Sequence, residues 1–361
     1  MPDYWCLIFS DGTGQRGVRE DASVRNTNIF QMFAASECKI YLDAFYDPGL
    51  GAPDEGSNNW TRSARNLWSK ATGWGISANI ADCYEALMLK WARGKRIGLF
   101  GFSRGAYTVR CVGGVLGTCG IATMDKGSPI SKDNDGAGAK LRRAIAEEAV
   151  AAYKIKNESE RKTAGSRFAQ KYQAQPAMPD VIGVFDTVKS LGLPGVANLV
   201  NPWKHEFHDN ELSGRVPVGL HALSIDENRK AFLPELWEDA SADGQVIEQV
   251  WFPGVHSDIG GGYEDDWRLA DLTLDWMLDR LRNVARLHIP LTVSKRDNVT
   301  GQAHDERSGF GTLWLPAARK VRGEAVDRDA LCGGIEDRFD QYRPSYRPRL
   351  LRSHPRVSRF F

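Results

Sequence analysis

The segment RIGLFGFSRGAYTVR, residues 96–110, sets Ser103 between Gly101 and Gly105 in a Gly-x-Ser-x-Gly spacing. An apolar run precedes it, and AYTVRCVGGVLG, with the composition of a helix, follows. Strand, tight turn and helix in that order lift a serine hydroxyl above a sheet, where it can act as a nucleophile. The two glycines have a steric reason to be there. The turn forces the serine backbone into a strained conformation, and only small neighbours let strand and helix approach without clash. The backbone N–H of Arg104, at the helix start, faces the place where negative charge would develop on a substrate oxygen. The chemistry this pattern predicts is nucleophilic attack on an acyl carbon.

Such a serine needs a base, and the base needs an acid to orient it. The chain has seven histidines: His205, His208, His221, His256, His288, His304 and His354. His256 has the expected setting, in VWFPGVHSDIGGGY, on a loop directly after an apolar run. His221 lies inside an apolar strand pattern, where a core histidine with its hydrogen bonds satisfied is expected. For the acid, Asp186 ends the run DVIGVFD, Asp226 ends HALSID, and Asp258 lies two residues beyond His256. Strand order in α/β-hydrolases favours Asp226, while Asp186 lies where catalytic groups of parallel sheets collect, at a strand's C-terminal end. The residues alone leave this choice open, with a helix-capping or loop role as the alternative for each.

A second glycine-rich turn, FSDGTGQ at 9–15, follows the first apolar run. Beside the elbow it would supply the other oxyanion donor, the N–H of Gly12 or Thr13. Asp11 in that turn could ligate a metal or hold the loop by hydrogen bonds, and the loop-holding role is preferred. FYDPGLG at 45–51 is a turn of similar character.

These groups need a rigid frame. Apolar runs at 4–10, 40–46, 96–102, 180–186, 218–225 and 247–254 mostly lack polar alternation, as strands covered on both faces do. Helix-like stretches at 78–94, 141–156 and 269–287 lie between or after them. The repetition predicts a doubly wound, mainly parallel sheet of the α/β class, as a single domain over residues 1–361. Residues 123–178 interrupt the rhythm, with a loop and then charged helix. They are expected as a helical cap insertion, either a mobile lid or a layer packed on the sheet. On the 141–156 helix, Leu141, Ile145, Ala149 and Ala152 form a modest apolar stripe. Residues 292–361 carry weak strand signals and an arginine-rich end, expected as a surface strap, with a partner-binding arm as the alternative.

Composition narrows the function classes. With 42% hydrophobic and 26% charged residues the chain is of ordinary globular composition. A formal net charge of +1 offers no field for recruiting nucleic acid, so no nucleic-acid partner is expected. No apolar stretch approaches the roughly 18 residues of a membrane-spanning helix. The N-terminus lacks the features of a Sec signal peptide, so synthesis in the cytoplasm is expected. The six cysteines form no Cys-x-x-Cys pair and suggest neither zinc nor disulfides. The mechanism predicted here needs no metal and no organic cofactor.

Several motifs taken together extend this reading. LIFSDGTG, NTNIF, YDPGLG, GFSRGAYTVR, VIGVFDTV, HALSIDENRKAFLPELW and WFPGVHSDIGGGY, in that order over roughly residues 4–285, resemble the catalytic domain of type VI secretion lipase (phospholipase) effectors. Many uncharacterised α/β-hydrolases share that domain. The resemblance implies a triad of Ser103, Asp186 and His256, which leaves Asp226 as a structural neighbour. It implies hydrolysis of carboxylic esters, phospholipid acyl esters being the best-known substrates. It also implies transient contact with a membrane surface, export by a dedicated secretion system, and a secretion-apparatus or immunity protein as partner. Large effectors of this kind carry an added membrane-anchoring module, for which 361 residues leave little room. Two other readings are an esterase for small soluble esters and a non-catalytic interaction module on the same fold.

Overall fold

All six apolar runs are strands of one sheet: β1 (Trp5–Ser10), β2 (Leu42–Asp47), β3 (Arg96–Phe102), β4 (Val181–Phe185), β5 (Val218–Ser224) and β6 (Val246–Phe252). A seventh, β7 (Ala330–Leu331), comes from the C-terminal segment, where only weak strand signal was readable. The computed structural model describes residues 3–15, 17–18, 25–49, 73–133, 136–188, 211–237, 242–294, 298–308, 312, 314–321, 330–342 and 345–361. His205, His208 and the end of the 45–51 turn lie outside the described residues. The spatial order is β2-β1-β3-β4-β5-β6-β7, and every neighbouring pair is parallel. With helices on both faces, this is the α/β-hydrolase architecture.

The strand sequences show why both faces are covered. Along β1, Cys6 and Ile8 join one core, and Trp5, Leu7 and Phe9 join the other, as the two-residue side-chain period of a strand requires. The first face is covered by α2 (Gly73–Lys90), α3 (Arg104–Cys119), α4 (Gly136–Tyr153) and α5 (Glu158–Tyr172). The second is covered by α1 (Asn28–Ser36), α7 (Arg268–Arg280) and the C-terminal segment, with the short α6 (His256–Gly260) at its upper edge. Thr27 caps α1 by accepting the Phe30 N–H. The buried Asn28 amide then donates to Ile259 and Ala270 carbonyls, tying α1 to α6 and α7.

Among the described residues of 123–178, α4 and α5 pack against α2 and α3. Ile145 and Ala149 of the α4 stripe are fully buried in the core shared with α2 and α3, and Leu141 packs at its margin. Phe168 and Tyr172 of α5 enter the same core. The segment's described helices thus form a layer packed on α2 and α3.

The C-terminal segment is integral to the fold. β7 pairs with β6 at Val250↔Ala330 and Trp251↔Leu331. α8 (Ile335–Gln341) then buries Ile335 and Phe339 completely. Its arginines act inward: Arg338 donates to the Val299 and Gly301 carbonyls, and Arg356 pairs with Glu336 and donates to the Leu331 carbonyl. The arginine-rich end also anchors through apolar side chains, with Leu351 and Val357 fully buried.

Strand register brings the chemistry to one edge. Ser10 is level with Gly101 and Asp47, Phe102 with Phe185, Phe185 with Ala222, and Ser224 with Phe252. The residues that follow β1, β3, β4, β5 and β6 therefore all emerge at the same C-terminal rim, where ligands bind in open α/β sheets.

Candidate active site

Ser103 sits between β3 and α3 with φ 59° and ψ −121°, a conformation that L side chains rarely adopt. Its neighbours explain the glycine spacing. A Cβ on Gly101 would come within 2.5 Å of the Gly105 carbonyl oxygen, and one on Gly105 within 2.1 Å of that of Ser10. The strain is held by backbone bonds: the Ser103 N–H donates to Phe185, and its carbonyl accepts from Tyr107. A wide side chain at either glycine would push β1 and α3 away from the turn.

The three predicted groups are brought together in line. Ser103 Oγ lies 2.8 Å from His256 Nε2, and His256 Nδ1 lies 2.6 Å from Asp186 Oδ2. All three are buried. His256 begins α6 after the β6 turn, and its ring packs against Phe102 and Phe232, at 4.8 and 4.9 Å between centroids. Asp186 also has a positive φ, of 40°, in the left-handed region. Its carboxylate accepts the Ser224 N–H at 3.0 Å. Burial by itself would raise the Asp186 carboxyl, but the Arg319 guanidinium and His256 outweigh it and hold the group well below the usual carboxylate range.

Asp226 and Asp258 hold loops, and neither reaches the imidazole. Asp226 accepts the Gly254 N–H at 2.7 Å and the Tyr346 hydroxyl at 3.1 Å. Burial raises its carboxyl to about 6. Asp258 accepts the Val255 N–H at 2.8 Å and bonds His304 Nδ1 at 2.6 Å, fixing the loop that carries His256. Asp11 has the loop-holding role expected: it accepts from Gly12 N–H, Thr27 Oγ1 and the Tyr46 hydroxyl at 2.7, 2.6 and 2.8 Å.

The first of these contacts bears on the oxyanion donors. The Gly12 N–H is engaged by the Asp11 carboxylate and is not a free oxyanion donor. Thr13 and Arg104 keep main-chain N–H groups with no acceptor among the described residues. Gly12 contributes space instead. Its backbone runs close enough that a Cβ there would sit 3.4 Å from that of Ser103. The Thr13 hydroxyl is likewise buried without a partner among the described residues. Burial lowers the Arg104 guanidinium to about 10.

Two further groups touch this site and were not singled out from the sequence. Glu227 is buried and accepts the His256 main-chain N–H at 3.2 Å, while Arg229 clasps its carboxylate at 2.7 Å. Arg319 reaches both Asp186 oxygens, at 2.5 and 2.8 Å. Glu227 was legible only as part of a longer motif, and Arg319 carried no local signal. His221, expected as a core residue, is one with a task. It is fully buried, burial and then Arg110 lower it to about 3, and its Nε2 accepts the N–H of Thr187, next to Asp186. His288 is exposed, and His354 is buried in the C-terminal strap.

The arrangement has an imidazole in contact with a hydroxyl, a carboxylate behind the imidazole, and main-chain N–H groups at a helix start, a set that could carry acyl transfer. No group of three or more His, Cys, Asp or Glu side chains that could hold a metal ion occurs among the described residues.

Comparison with known proteins gives this geometry a family. No curated protein matches the chain. Among solved structures, an uncharacterised protein from Pseudomonas aeruginosa is 16% identical with a TM-score of 0.40, over 81% of this chain and 47% of that one. A Tle1 effector bound to the VgrG spike of the type 6 secretion system is 18% identical with a TM-score of 0.35, over 73% and 52%. A thermophilic esterase from the planctomycete Thermogutta terrifontis, with butyrate bound, is 12% identical with a TM-score of 0.37, over 81% and 87%. The chain spans about half the length of the first two. The model of the type VI secretion phospholipase effector Tle1-like catalytic domain matches residues 6–280, well over half of the sequence. The chain belongs to the Tle1-like phospholipase effector family, through that catalytic domain.

Proposed function

We propose that this protein is a serine hydrolase of carboxylic esters, and that its substrates are lipid or phospholipid acyl esters. The observation that carries the reading is the continuous hydrogen-bonded line Ser103–His256–Asp186, at 2.8 and 2.6 Å. In the proposed reaction, His256 Nε2 takes the Ser103 proton as Oγ attacks the acyl carbon. The oxyanion rests on the N–H groups of Arg104 and Thr13. His256 then gives its proton to the leaving alcohol, which departs and leaves an acyl-serine. Water, deprotonated by His256, attacks that ester and releases the acid. Asp186 keeps the imidazole oriented throughout and stays ionised.

The family supports a phospholipid substrate. Arg104 supports it too: a half-buried guanidinium next to the nucleophile, with no carboxylate partner among the described residues, favours a substrate that carries negative charge. On this reading the protein is made in the cytoplasm, exported by a type VI apparatus through a spike partner, opposed by an immunity protein, and touches membranes only transiently. No helix among the described residues is long and apolar enough to cross a membrane. The burial of the α4 stripe favours a second reading on one point. An enzyme without a lid over Ser103 would also act on soluble esters. A panel running from short nitrophenyl esters to anionic and zwitterionic phospholipid vesicles tests both. Release of fatty acid from vesicles supports the lipid reading. Turnover confined to short esters supports the soluble one, and no turnover of any ester contradicts both.

A further inference from the structure

The segment that folds back after the matched domain delivers one side chain to the reaction centre. Arg319 lies outside residues 6–280, yet its side chain is fully buried at the triad acid. Nη1 reaches Asp186 Oδ1 at 2.5 Å and Nη2 reaches Oδ2 at 2.8 Å, a two-point grip that suits the planar fork of a guanidinium. The same two nitrogens tie the grip to the frame, while Nε is buried without a partner among the described residues. Nη1 also donates to the Ser224 carbonyl at 3.0 Å, and Nη2 to that of Phe232 at 2.5 Å. Phe232 is the residue whose ring packs on His256.

We propose that Arg319 is a positioning residue of the reaction, fixing the orientation and the negative charge of Asp186 and, through it, the imidazole of His256. This rests on the triad reading above. The physical reason is the resting state. When His256 is the neutral base, a fully buried carboxylate beside it has, among the described residues, no cationic partner except Arg319. A buried carboxylate without one takes up a proton, because burial penalises the charged form. A protonated acid, or one free to rotate, no longer holds the imidazole hydrogen bond that aligns Nε2 with Ser103. The guanidinium prevents both. Its delivery by a segment beyond the matched domain makes that segment part of the catalytic machinery.

The test compares the full chain with its Arg319→Gln, Arg319→Lys, Asp186→Asn and Asp186→Asn/Arg319→Gln variants. The readouts are hydrolysis of a short nitrophenyl ester and labelling by a fluorophosphonate, each from pH 5 to 9, together with thermal melting. Arg319→Gln is expected to slow both by about 10–100-fold, the size typical when the partner of a site ligand is removed. It should also move the acid limb of both profiles to higher pH, since the unassisted carboxylate protonates earlier. Arg319→Lys keeps the charge but loses the two-point grip, so the limb stays and the rate falls less. Adding Arg319→Gln to Asp186→Asn should slow the enzyme no further. A wild-type rate and limb in Arg319→Gln overturns the proposal. So does an equal rate loss in both arginine variants with an unmoved limb, which a purely structural role would give. If Arg319→Gln does not fold, Arg319→Lys at the full wild-type rate overturns it. The downfield proton resonance of the His256–Asp186 hydrogen bond needs no turnover, and separates this proposal from the hydrolase reading. It should persist in Arg319→Lys and be lost in Arg319→Gln. Its persistence unchanged in Arg319→Gln overturns the role of Arg319 even if the wild type hydrolyses nothing.

Discussion

Three carboxylates compete for one histidine, and the contacts separate them. Asp186 touches the imidazole, while Asp226 and Asp258 bond the two residues of the loop just before it, Gly254 and Val255. Asp186→Asn should therefore lower kcat/KM for esters by about 10⁴, as an acid that sets the tautomer does in serine proteases. Asp226→Asn should cost less than about tenfold in rate, because its contacts are with the Gly254 N–H and the Tyr346 hydroxyl rather than the imidazole. Its cost is in stability. Burial lifts the Asp226 carboxyl to about 6 in the folded state. A raised folded value gives stability that is full below the unfolded value, near about 4, and lost as pH rises through about 6. The penalty of Asp226→Asn should thus be larger at pH 5 than at pH 8 in thermal melts. A larger rate loss for Asp226→Asn than for Asp186→Asn would reverse the assignment. The sequence alone left these two aspartates open, since strand order and strand-end position pointed to different residues. Only the resemblance separated them, and of the two it is Asp186 that lies in hydrogen-bond reach of His256.

The elbow is the element on which alignment depends. It was the most legible feature of the sequence, because its steric demands leave marks in residue type: β1 and α3 approach so closely that Gly105 has the Ser10 carbonyl where a side chain would be. Gly105→Ala should lower the unfolding free energy by about 1–3 kcal/mol or more, read as a drop in the urea midpoint. An unchanged midpoint would mean that strand and helix are not packed this tightly. The six long strands were legible for a similar reason, since runs without polar alternation fit a sheet covered on both faces. The two-residue β7 was not, because so short a strand is defined by its partner rather than by its own residues. Arg319 was hidden by distance: 133 positions separate it from Asp186, and nothing in its neighbours' sequence marks the contact. The engagement of the Gly12 N–H depends on the rotamer of Asp11, which composition does not reveal.

At the scale of the whole molecule, two segments that read as additions turn out to be parts of the frame. The described residues of 123–178 form a helical layer on α2 and α3, and the C-terminal segment closes the sheet's edge and supplies Arg319. If α4 is a fixed layer, Ile145→Ala should cost about 2–5 kcal/mol of stability through the cavity it leaves, with ester turnover per folded molecule unchanged. Altered interfacial kinetics at unchanged stability would instead identify a moving cover. The central claim is that Ser103 is the nucleophile of an acyl-transfer site, and the most direct measurement is the intact mass of the full chain after exposure to a fluorophosphonate, with the adduct located by peptide mapping. The account predicts one adduct per chain, on Ser103, with none formed on Ser103→Ala or His256→Ala. A wild-type chain that stays unmodified, or an adduct of equal yield on Ser103→Ala, would contradict it.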